Sequence, residues 1–342
     1  MDFMNSHVNM QEGKKMEVSI IIPTYNRTEE LKEALESIIA QTKLPKEVLI
    51  VDDSEHDEIQ NLVKQKKNEF EFKGITLKYI RNEKERSSAI ARNIGIEHST
   101  GDIVLFIDDD VILDREYIMN ILRVYKEKHG AIGVQGYIIN AFSEDMISKI
   151  RYAIGRIFFL WYPENDKCRV QPSAEPTYPS SSLKRTIECQ WLAGSNCSFK
   201  REILQIFKFD ENLKRYSWRE DVDLSYRIYK KIPNSLYITP YAKLIHKGSK
   251  TARLPKKQLI LMQRVYISYF FYKNIDQCLK NKLIFLLSMI GELIIQITMS
   301  IIKPSKPHLL RVKYLIESYI MTLKHIKEIK EGNLKFFNKS LK

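Results

Sequence analysis

The sequence predicts an α/β fold, a mostly parallel sheet flanked by helices and followed by a helical C-terminal segment. Short runs rich in β-branched apolar residues alternate with amphipathic stretches of about 10–15 residues. The runs are apolar at successive positions, which is typical of strands buried on both faces of a sheet. Strands that alternate with helices form right-handed βαβ units, so the sheet is expected to be parallel.

The first half of the chain contains four strand and helix pairs. The predicted strands are residues 18–22, 48–51, 77–80 and 102–107, and the predicted helices begin near residues 28, 57, 87 and 114. Thr28 and Asp114 are expected to cap their helices, because short polar side chains accept hydrogen bonds from the free N–H groups of a first turn.

The regular alternation ends after Gly136. Residues 142–162 are amphipathic, and a stretch rich in proline and serine over 163–186 is expected to be irregular. Shorter elements follow, namely strands at 191–199, 236–239 and 242–245 and a helix at 219–229. We therefore predict a flexible tail at 1–15, a domain at 16–250 whose halves meet near residue 136, and a basic helical region at 251–342.

The basic residues are concentrated at the C-terminal end. The chain has 55 Lys and Arg against 42 Asp and Glu, a net charge of +13. Residues 247–342 alone carry 19 basic and five acidic residues, so the preceding part is close to neutral. A neutral domain offers no basic groove to a phosphate backbone, which argues against nucleic acid as a partner.

The C-terminal region also contains the longest apolar segment. Residues 283–302 are long enough to span a bilayer. Glu292 lies at their centre and makes insertion marginal, because a central charged group costs about 2.5–3.5 kcal/mol. With the basic amphipathic stretch at 309–326, this segment favours attachment to a membrane surface. The alternative is a helical appendage packed on the core or on a second subunit, and the oligomeric state stays open.

The cysteines and the N-terminus indicate the compartment. The four cysteines form no CxxC pair and no histidines cluster with them, so neither a zinc site nor a disulfide framework is expected. The first residues contain no apolar stretch of the kind that secretory signals carry. We expect reduced thiols and a cytoplasmic protein attached to the cytoplasmic face of the membrane.

Polar side chains follow three of the predicted strands. The first strand leads into Pro23-Thr24-Tyr25-Asn26-Arg27, the second into Asp52-Asp53 and the fourth into Asp108-Asp109-Asp110. Ligands of open α/β sheets bind beyond the carboxyl ends of the strands, so these groups are expected to meet. A single Asp after a strand is often only a turn residue. Three adjacent carboxylates repel one another, however, and a divalent ion such as Mg²⁺ or Mn²⁺ relieves that repulsion.

Six segments occur in the order found in one enzyme family. They are IIPTYNR, IVDDS, SAIARNIGI, GDIVLFIDDD, WLAGSNCSFKRE and WREDVDLSYRI, within residues 17–247. This set resembles the inverting family 2 glycosyltransferases with the GT-A fold. The resemblance implies transfer of one sugar from a nucleotide-sugar, most commonly a UDP-sugar, to a hydroxyl of a glycan, lipid-linked or surface polysaccharide precursor. Residues 16–136 would then bind the nucleotide and residues 137–250 the acceptor.

The same resemblance implies roles for the donor-side residues. The turn from Pro23 to Arg27 would bind the nucleotide-sugar, with Tyr25 lying against the base. Asp53 would accept hydrogen bonds from the uracil or ribose, and Arg92 would help to bind the donor. A surface charge on a helix is the alternative reading of Arg92.

The acidic triplet would carry the metal. Asp108 and Asp110 form the DxD pair of the family, with Asp109 between them on the donor side. Asp108 would lie near the ribose, and Asp110 would hold a Mn²⁺ or Mg²⁺ ion that bridges the diphosphate. His246 is a further candidate ligand, although a lone histidine is more often structural.

The catalytic base of the family maps onto Asp221, with Glu220 beside it. Adjacent carboxylates raise one another's pKa, which suits a group that accepts a proton near neutral pH. The alternative is an acidic first turn that merely complements the helix dipole. Trp191, Gly194 and Asn196 are expected to shape the acceptor and sugar pocket.

Other function classes fit the sequence less well. Processive synthases of the superfamily carry a QxxRW element, and neither Gln258 nor Gln263 has Arg-Trp at that offset, so single transfers are expected. A nucleotidyltransferase needs a glycine-rich basic loop after the first strand, where this chain has Glu29 and Glu30. A non-catalytic sugar-nucleotide binder stays an alternative, although all the acidic residues that catalysis needs are present.

Overall fold

The computed structural model describes residues 16–143, 145–251 and 253–341, and the tail expected at 1–15 lies outside them. The strands are β1 (Val18–Thr24), β2 (Glu47–Asp52), β3 (Thr76–Arg81), β4 (Ile103–Phe106), β5 (Val111–Leu113), β6 (Gly133–Ile138), β7 (Pro163–Glu164), β8 (Tyr178–Pro179), β9 (Ile187–Glu188), β10 (Cys197–Lys200) and β11 (Leu236–His246). The helices are α1 (Thr28–Ile39), α2 (Glu58–Phe72), α3 (Ser88–His98), α4 (Tyr117–Glu127), α5 (Met146–Ile157), α6 (Arg201–Ile206), α7 (Glu220–Lys231), α8 (Lys256–Asn274), α9 (Leu279–Ile302), α10 (Lys306–Lys324), α11 (Ile326–Lys330) and α12 (Lys335–Asn338).

One large sheet organises the fold. Among the described residues it has nine strands, eight of them in the order β3-β2-β1-β4-β10-β6-β11-β5, while β9 pairs with β11. Strands β3, β2, β1 and β4 are parallel. Strand β10 runs antiparallel between β4 and β6, and β5 runs antiparallel to β11. The predicted fold class, a mostly parallel sheet flanked by helices, is confirmed.

The apolar runs are buried on both faces of this sheet. In β1, Ile21 packs into the core on one face, whereas Ile20 and Ile22 pack into the core on the other. Helices α1, α2 and α4 cover the face of Ile20, and α3, α7 and α8 cover the face of Ile21. Gly95 of α3 lies so close to β1 that an added Cβ would come within 2.4 Å of Ile21 Cγ2. Burial on both faces is why the strands are apolar throughout.

Some predicted elements differ from those observed. The two strands expected at 236–239 and 242–245 form one strand, β11, with a shift of register between Ile238 and Lys243. Pro240 causes the apparent break, since it lacks an N–H and interrupts ladder pairing without ending the strand. The two predicted helix caps are wrong, because Thr28 is the first residue of α1 and Asp114 precedes the cap residue of α4.

The C-terminal helices are packed on the rest of the chain. Ile267, Phe270 and Phe271 of α8 belong to the same core as the sheet. A separate apolar cluster joins Tyr266 of α8 to Phe337 near the end of the chain. The predicted boundary at residue 250 remains a proposal. Helix α8 follows it and packs both against the core of the sheet and against the C-terminal end of the chain.

Helix α9 is, among the described residues, the one helix long and apolar enough to cross a membrane by length and composition alone. One of its faces is packed, because Gly291 lies against Phe158 and Glu292 forms an ion pair with the buried Arg264 of α8. The opposite face exposes large apolar side chains such as Leu283 and Ile290. One face of α9 is therefore packed on the protein and the other is apolar and exposed. The charge of Glu292 is compensated by Arg264.

Candidate active site

The carboxyl ends of the parallel strands meet at one edge of the sheet, as predicted. The N–H of Asp53 donates to the carbonyl of Thr24 at 2.9 Å, and the hydroxyl of Thr24 donates to Asp109 at 2.9 Å. Strand β11 brings His246 to the same edge, since His246 pairs with Val111 directly after the acidic triplet. Four strands, β1, β2, β4 and β11, thus deliver polar groups to one place.

Asp108, Asp110 and His246 form the cluster best suited to a metal ion. One ligand atom from each lies within 4.8 Å of the others. His246 Nε2 is 3.0 Å from Asp110 Oδ1 and 3.8 Å from Asp108 Oδ2. Asp110 Oδ1 is buried and accepts no hydrogen bond of ordinary geometry from the described residues. A buried carboxylate oxygen without a donor, next to an imidazole nitrogen, fits Mn²⁺ or Mg²⁺.

Electrostatics keep this cluster charged. Burial alone would raise the pKa of Asp110, but His246, the N–H of Ser249 and Arg27 outweigh it and hold that pKa below its usual value. Burial also opposes a charged imidazole, yet Asp110 and Asp108 raise the pKa of His246. Asp110 is therefore ionised at neutral pH, as a metal ligand must be.

Asp109 faces a different environment from its neighbours. Its Oδ1 accepts from Arg27 Nη1 at 2.9 Å, and its Oδ2 accepts from Thr24. Burial raises the pKa of Asp109 to about 7, with Arg27 opposing the shift. Arg27 also donates from Nε to the carbonyl of Thr251 at 3.0 Å. Asp109 thus holds the turn after β1 and, through Arg27, the segment after β11.

A first cleft lies beside the triplet and is called the donor cleft below, after the role that the sequence resemblance predicts for its residues. Its walls are Pro23, Thr24, Tyr25, Arg27, Asp53, Arg86, Ser88, Arg92, Asp108, Asp109, Arg215, Tyr216 and Glu220. The guanidinium of Arg86 covers one face of the Tyr25 ring, 3.2 Å from its centroid. Sequence reasoning missed Arg86 and Arg215, which have no ion-pair partner among the described residues. Each of the two arginines is next to a recognised motif in the sequence. They come together only in the folded chain, where the N–H of Ser88 donates to the carbonyl of Arg215 at 3.0 Å.

The other donor-side residues are held by local hydrogen bonds. Asp53 accepts from Asn82 Nδ2 at 2.5 Å and from the N–H of Ser87 at 3.1 Å, and burial raises its pKa to about 6. Asn26 adopts a left-handed backbone with φ of 51°, a conformation that asparagine tolerates. Its N–H donates to Ser54 Oγ at 2.9 Å.

Arg92 connects Asp108 of the candidate metal cluster to helix α7, which carries the predicted base Asp221. It is buried, with Nη2 donating to Asp108 at 2.9 Å and Nη1 donating to Glu220 at 2.5 Å. Burial raises the pKa of Glu220, whereas the ion pair with Arg92 opposes the shift and favours the charged form. A surface charge, the alternative reading of Arg92, does not apply. Both ends of its guanidinium bind acidic side chains, so Arg92 positions these motifs relative to each other.

Asp221 lines a second cleft of about 580 Å³, called the acceptor cleft below after the role that the sequence resemblance predicts for Trp191 and Gly194 in its wall. Its Oδ2 accepts from the N–H of Gly194 at 2.8 Å, and its Oδ1 accepts from the N–H of Val222 at 2.7 Å. Asp108 and His246 line the same cleft, so the predicted base and two predicted metal ligands face one space.

The predicted pocket residues occupy different places. Trp191 lines the acceptor cleft and donates from Nε1 to the carbonyl of Thr177 at 2.8 Å. Gly194 lines it as well. Asn196 is completely buried behind the cleft, where its side chain accepts from the Tyr117 hydroxyl at 3.2 Å. Its role is therefore to support the wall.

The loop before α7 separates the two clefts and has a strained backbone. Arg215, Ser217 and Arg219 all have positive φ, at 59°, 45° and 78°, a conformation that costs free energy in residues with a side chain. Ser217 anchors the loop by accepting from the N–H of Ala89 at 3.2 Å and donating to the carbonyl of Leu213 at 2.8 Å. Tyr216, between the strained residues, lines both clefts.

Comparison with known proteins identifies the family. Residues 19–207, more than half of the chain, match the model of Glycosyl transferase family 2. The chain belongs to this family. It is a glycosyltransferase with the GT-A fold, as its sequence motifs predicted.

One relative is similar over about two thirds of the glycosyltransferase and another over about a third of it. The glucosyl-dolichyl phosphate glucuronosyltransferase of Haloferax volcanii is 26% identical over 240 residues, 68% of this chain and 69% of the relative. An uncharacterized glycosyltransferase of Haemophilus influenzae is 36% identical over 110 residues, 32% of this chain and 35% of the relative.

Two solved structures resemble the fold. The mannosyltransferase PcManGT from Pyrobaculum calidifontis, in complex with GDP-Man and Mn²⁺, has a TM-score of 0.57 at 16% identity over 91% of this chain and 88% of its own. S. aureus TarS 1-349 in complex with UDP-GlcNAc has a TM-score of 0.54 at 16% identity, covering 95% of this chain and 91% of its own. Both bind nucleotide-sugars.

Replacement of Gly194 by Ala tests how closely the glycosyltransferase positions Asp221. The added Cβ would lie 3.1 Å from Asp221 Cβ and 3.3 Å from Arg92 Nη2, so one of these side chains must shift. We expect turnover to fall about 10–100-fold, since small displacements of reacting groups have large effects on rate. Gly130→Ala is the matched control, because its added Cβ meets nothing within 4 Å. Equal turnover in both variants would contradict close positioning.

Proposed function

We propose that this glycosyltransferase transfers one sugar from a UDP-sugar to an acceptor hydroxyl, with inversion at the anomeric carbon and with dependence on Mn²⁺ or Mg²⁺. The observation that carries the proposal is the shared cleft, since Asp221 lines the same space as Asp108 and His246. We expect the acceptor to be a glycan, lipid-linked or surface polysaccharide precursor. Residues 16–136 would bind the donor, and residues 137–250 the acceptor.

Each charged group of the site has a task in this reaction. Asp108, Asp110 and His246 would hold the metal ion, which when bound stabilises negative charge on the departing nucleoside diphosphate. Arg86 and Arg215 line the donor cleft without acidic partners among the described residues, so they are free to bind phosphate oxygens. Tyr25 and Asp53 lie in the same cleft, at the end assigned to the nucleoside.

Asp221 is the proposed general base. An inverting transfer needs a base that takes the acceptor proton from the face opposite the leaving group. Asp221 faces the acceptor cleft, and the N–H of Gly194 fixes one of its oxygens. Glu220 is fully committed to Arg92, which leaves Asp221 as the carboxylate of this pair that can receive a proton from an acceptor.

The decisive experiment for the proposed function is a donor panel. The purified full-length protein is incubated with UDP-, GDP- and dTDP-sugars, with Mn²⁺, with Mg²⁺ and with EDTA, and release of the nucleoside diphosphate is measured. We expect turnover with a UDP-sugar that EDTA abolishes, and a product whose anomeric configuration, read by NMR, is inverted. Binding of the nucleotide without turnover across the panel would instead identify a non-catalytic binder.

We further propose that the enzyme works at the cytoplasmic face of a membrane through α9 and α10. Leu283, Ile290 and Ile301 on α9, and Leu309 and Ile320 on α10, are all exposed. Basic residues surround this apolar surface, a composition typical of helices that lie in the interface of an anionic membrane. The packed face of α9 favours a helix lying on the membrane over one that leaves the protein to span it.

Replacement of exposed apolar residues tests membrane attachment without removing the C-terminal helices that pack on the core. We expect Leu283→Gln, Ile290→Gln and Ile301→Gln together to move most of the protein from the membrane to the soluble fraction, because interfacial binding scales with buried apolar area. The control changes Phe72, Ile139 and Ile206 to Gln, since these apolar residues are at least about as exposed but lie outside α9 and α10. A wild-type protein that is already soluble would contradict the attachment.

A further inference from the structure

A third cavity, called the arginine cavity here, lies where α5, α8, α9 and α10 meet. Its volume is about 190 Å³, and Arg151 of α5, Arg264 of α8 and Arg311 of α10 line it together with Arg219. Four other wall residues, Trp161, Glu175, Trp218 and Gln263, line the acceptor cleft as well, as does Arg219. The arginine cavity therefore adjoins the acceptor cleft and opens among the C-terminal helices.

The charges of the cavity do not balance. Arg264 forms an ion pair with Glu292, and Arg219 forms one with Glu175. Arg151 and Arg311, which come from helices on different sides of the cavity, have no acidic partner among the described residues. Two positive charges are thus in excess.

The unpaired guanidinium groups are near one another. Partial desolvation, and after it the like charge of Arg151, lower the pKa of Arg311. Both arginine residues remain open to solvent, which screens their repulsion, and an anion that bridges the two guanidinium groups would relieve what remains of it.

The cavity wall also contains unused hydrogen-bond donors. Trp218 Nε1 and Arg219 Nε are buried without a partner among the described residues. Buried donors of this kind are rare in folded proteins, because each costs free energy that an acceptor group would recover. Arg219 is held there in the left-handed conformation described above, directly before Glu220 and Asp221.

We propose that the arginine cavity binds the phosphate or diphosphate group of a lipid-linked acceptor, whose sugar enters the acceptor cleft and whose lipid lies along α9 and α10. This inference rests on the proposed function, because it names the acceptor class of the same site. Guanidinium groups bind phosphate oxygens in pairs and with defined geometry. The apolar groove between α9 and α10, lined by Ile297, Ile301, Leu309 and Ile316, belongs to the same two helices that contribute Glu292 and Arg311.

Binding of a short lipid diphosphate tests the proposal. Full-length protein is titrated with farnesyl diphosphate, farnesol and inorganic pyrophosphate in EDTA, which removes any metal-dependent binding at the donor site. Binding that Arg86 and Arg215 of the donor cleft retain is the same in the wild type and in the arginine-cavity variant, so the difference between the two reports the arginine cavity. We expect farnesyl diphosphate to bind at least about ten-fold more tightly than either of the others, and Arg151→Gln with Arg311→Gln to remove about ten-fold or more of that affinity. The matched control is Lys149→Gln with Lys324→Gln, which removes the same charge from exposed positions on the same two helices.

Each other outcome overturns the inference. Equal affinity for farnesyl diphosphate in the wild type and the arginine variant would exclude the cavity as the site. Equal affinity for pyrophosphate and farnesyl diphosphate in the wild type would show that the cavity recognises free phosphate, with no part for the lipid. Equal losses in the arginine and lysine variants would indicate general attraction by positive charge. Failure of the proposed function is separate, since it appears as absent donor turnover in the wild type.

Discussion

Replacement of Asp221 by Asn is expected to lower sugar transfer about 10²–10⁴-fold, the range that a general base contributes. The amide retains one oxygen, which can still accept the N–H of Gly194, and loses only the hydrogen bond from the N–H of Val222. It cannot take a proton from the acceptor hydroxyl, however. We therefore expect kcat to fall while the affinity for the donor stays close to that of the wild type. Turnover under saturating donor and acceptor, with donor affinity from calorimetry, measures both.

Two further variants serve as the control for Asp221→Asn and as a test of the neighbouring carboxylate. Asp114→Asn is the control, because Asp114 is an exposed aspartate before a helix and lies outside both clefts. Glu220→Gln tests the neighbouring carboxylate, which is bound to Arg92. We expect that variant to lose stability as well as activity, since the buried guanidinium of Arg92 keeps Asp108 but loses the charge of Glu220. If Asp221→Asn retains more than about a tenth of wild-type turnover, Asp221 is not the base.

Replacement of Asp110 by Ala is expected to remove metal binding and, with it, about 10³-fold or more of the turnover, since a metal that stabilises leaving-group charge supplies several kcal/mol. Asp110 is buried with one oxygen 3.0 Å from His246 Nε2, so alanine at this position removes a candidate ligand oxygen from the cluster. The affinity for Mn²⁺ can be read directly from the electron paramagnetic resonance signal of the free ion. That measurement does not depend on activity.

The adjacent Asp109 provides the contrast. Its carboxylate oxygens accept from Arg27 and Thr24, so Asp109→Asn should lower the melting temperature while leaving the affinity for Mn²⁺ within about three-fold of the wild type. Equal Mn²⁺ affinity in the wild type and Asp110→Ala would contradict the ligand assignment. A large loss of Mn²⁺ affinity in Asp109→Asn would show that the whole triplet, rather than Asp108 and Asp110, forms the site.

Local sequence patterns predicted the central parallel strands of the sheet well, but they predicted the later strands β5, β6 and β11 poorly. The buried strands β1, β2 and β4 were predicted because both of their faces are apolar, a property visible in single runs of sequence. Strands β5 and β6 were missed, since they are short or contain Gly and Gln. The strand at 236–246 was divided in two by Pro240, although pairing with β6 resumes beyond it.

The sequence by itself determined the family, the fold class and the acidic residues of the site, because these are encoded in contiguous motifs. Only the tertiary structure decided how those residues divide their work. Antiparallel pairing of β11 with β5 places His246 beside Asp110, and Asp109 forms an ion pair with Arg27. Glu220 forms an ion pair with Arg92, whereas Asp221 faces the acceptor cleft. These contacts join segments that are in some cases more than a hundred residues apart in the chain, so the local pattern of the sequence does not reveal them.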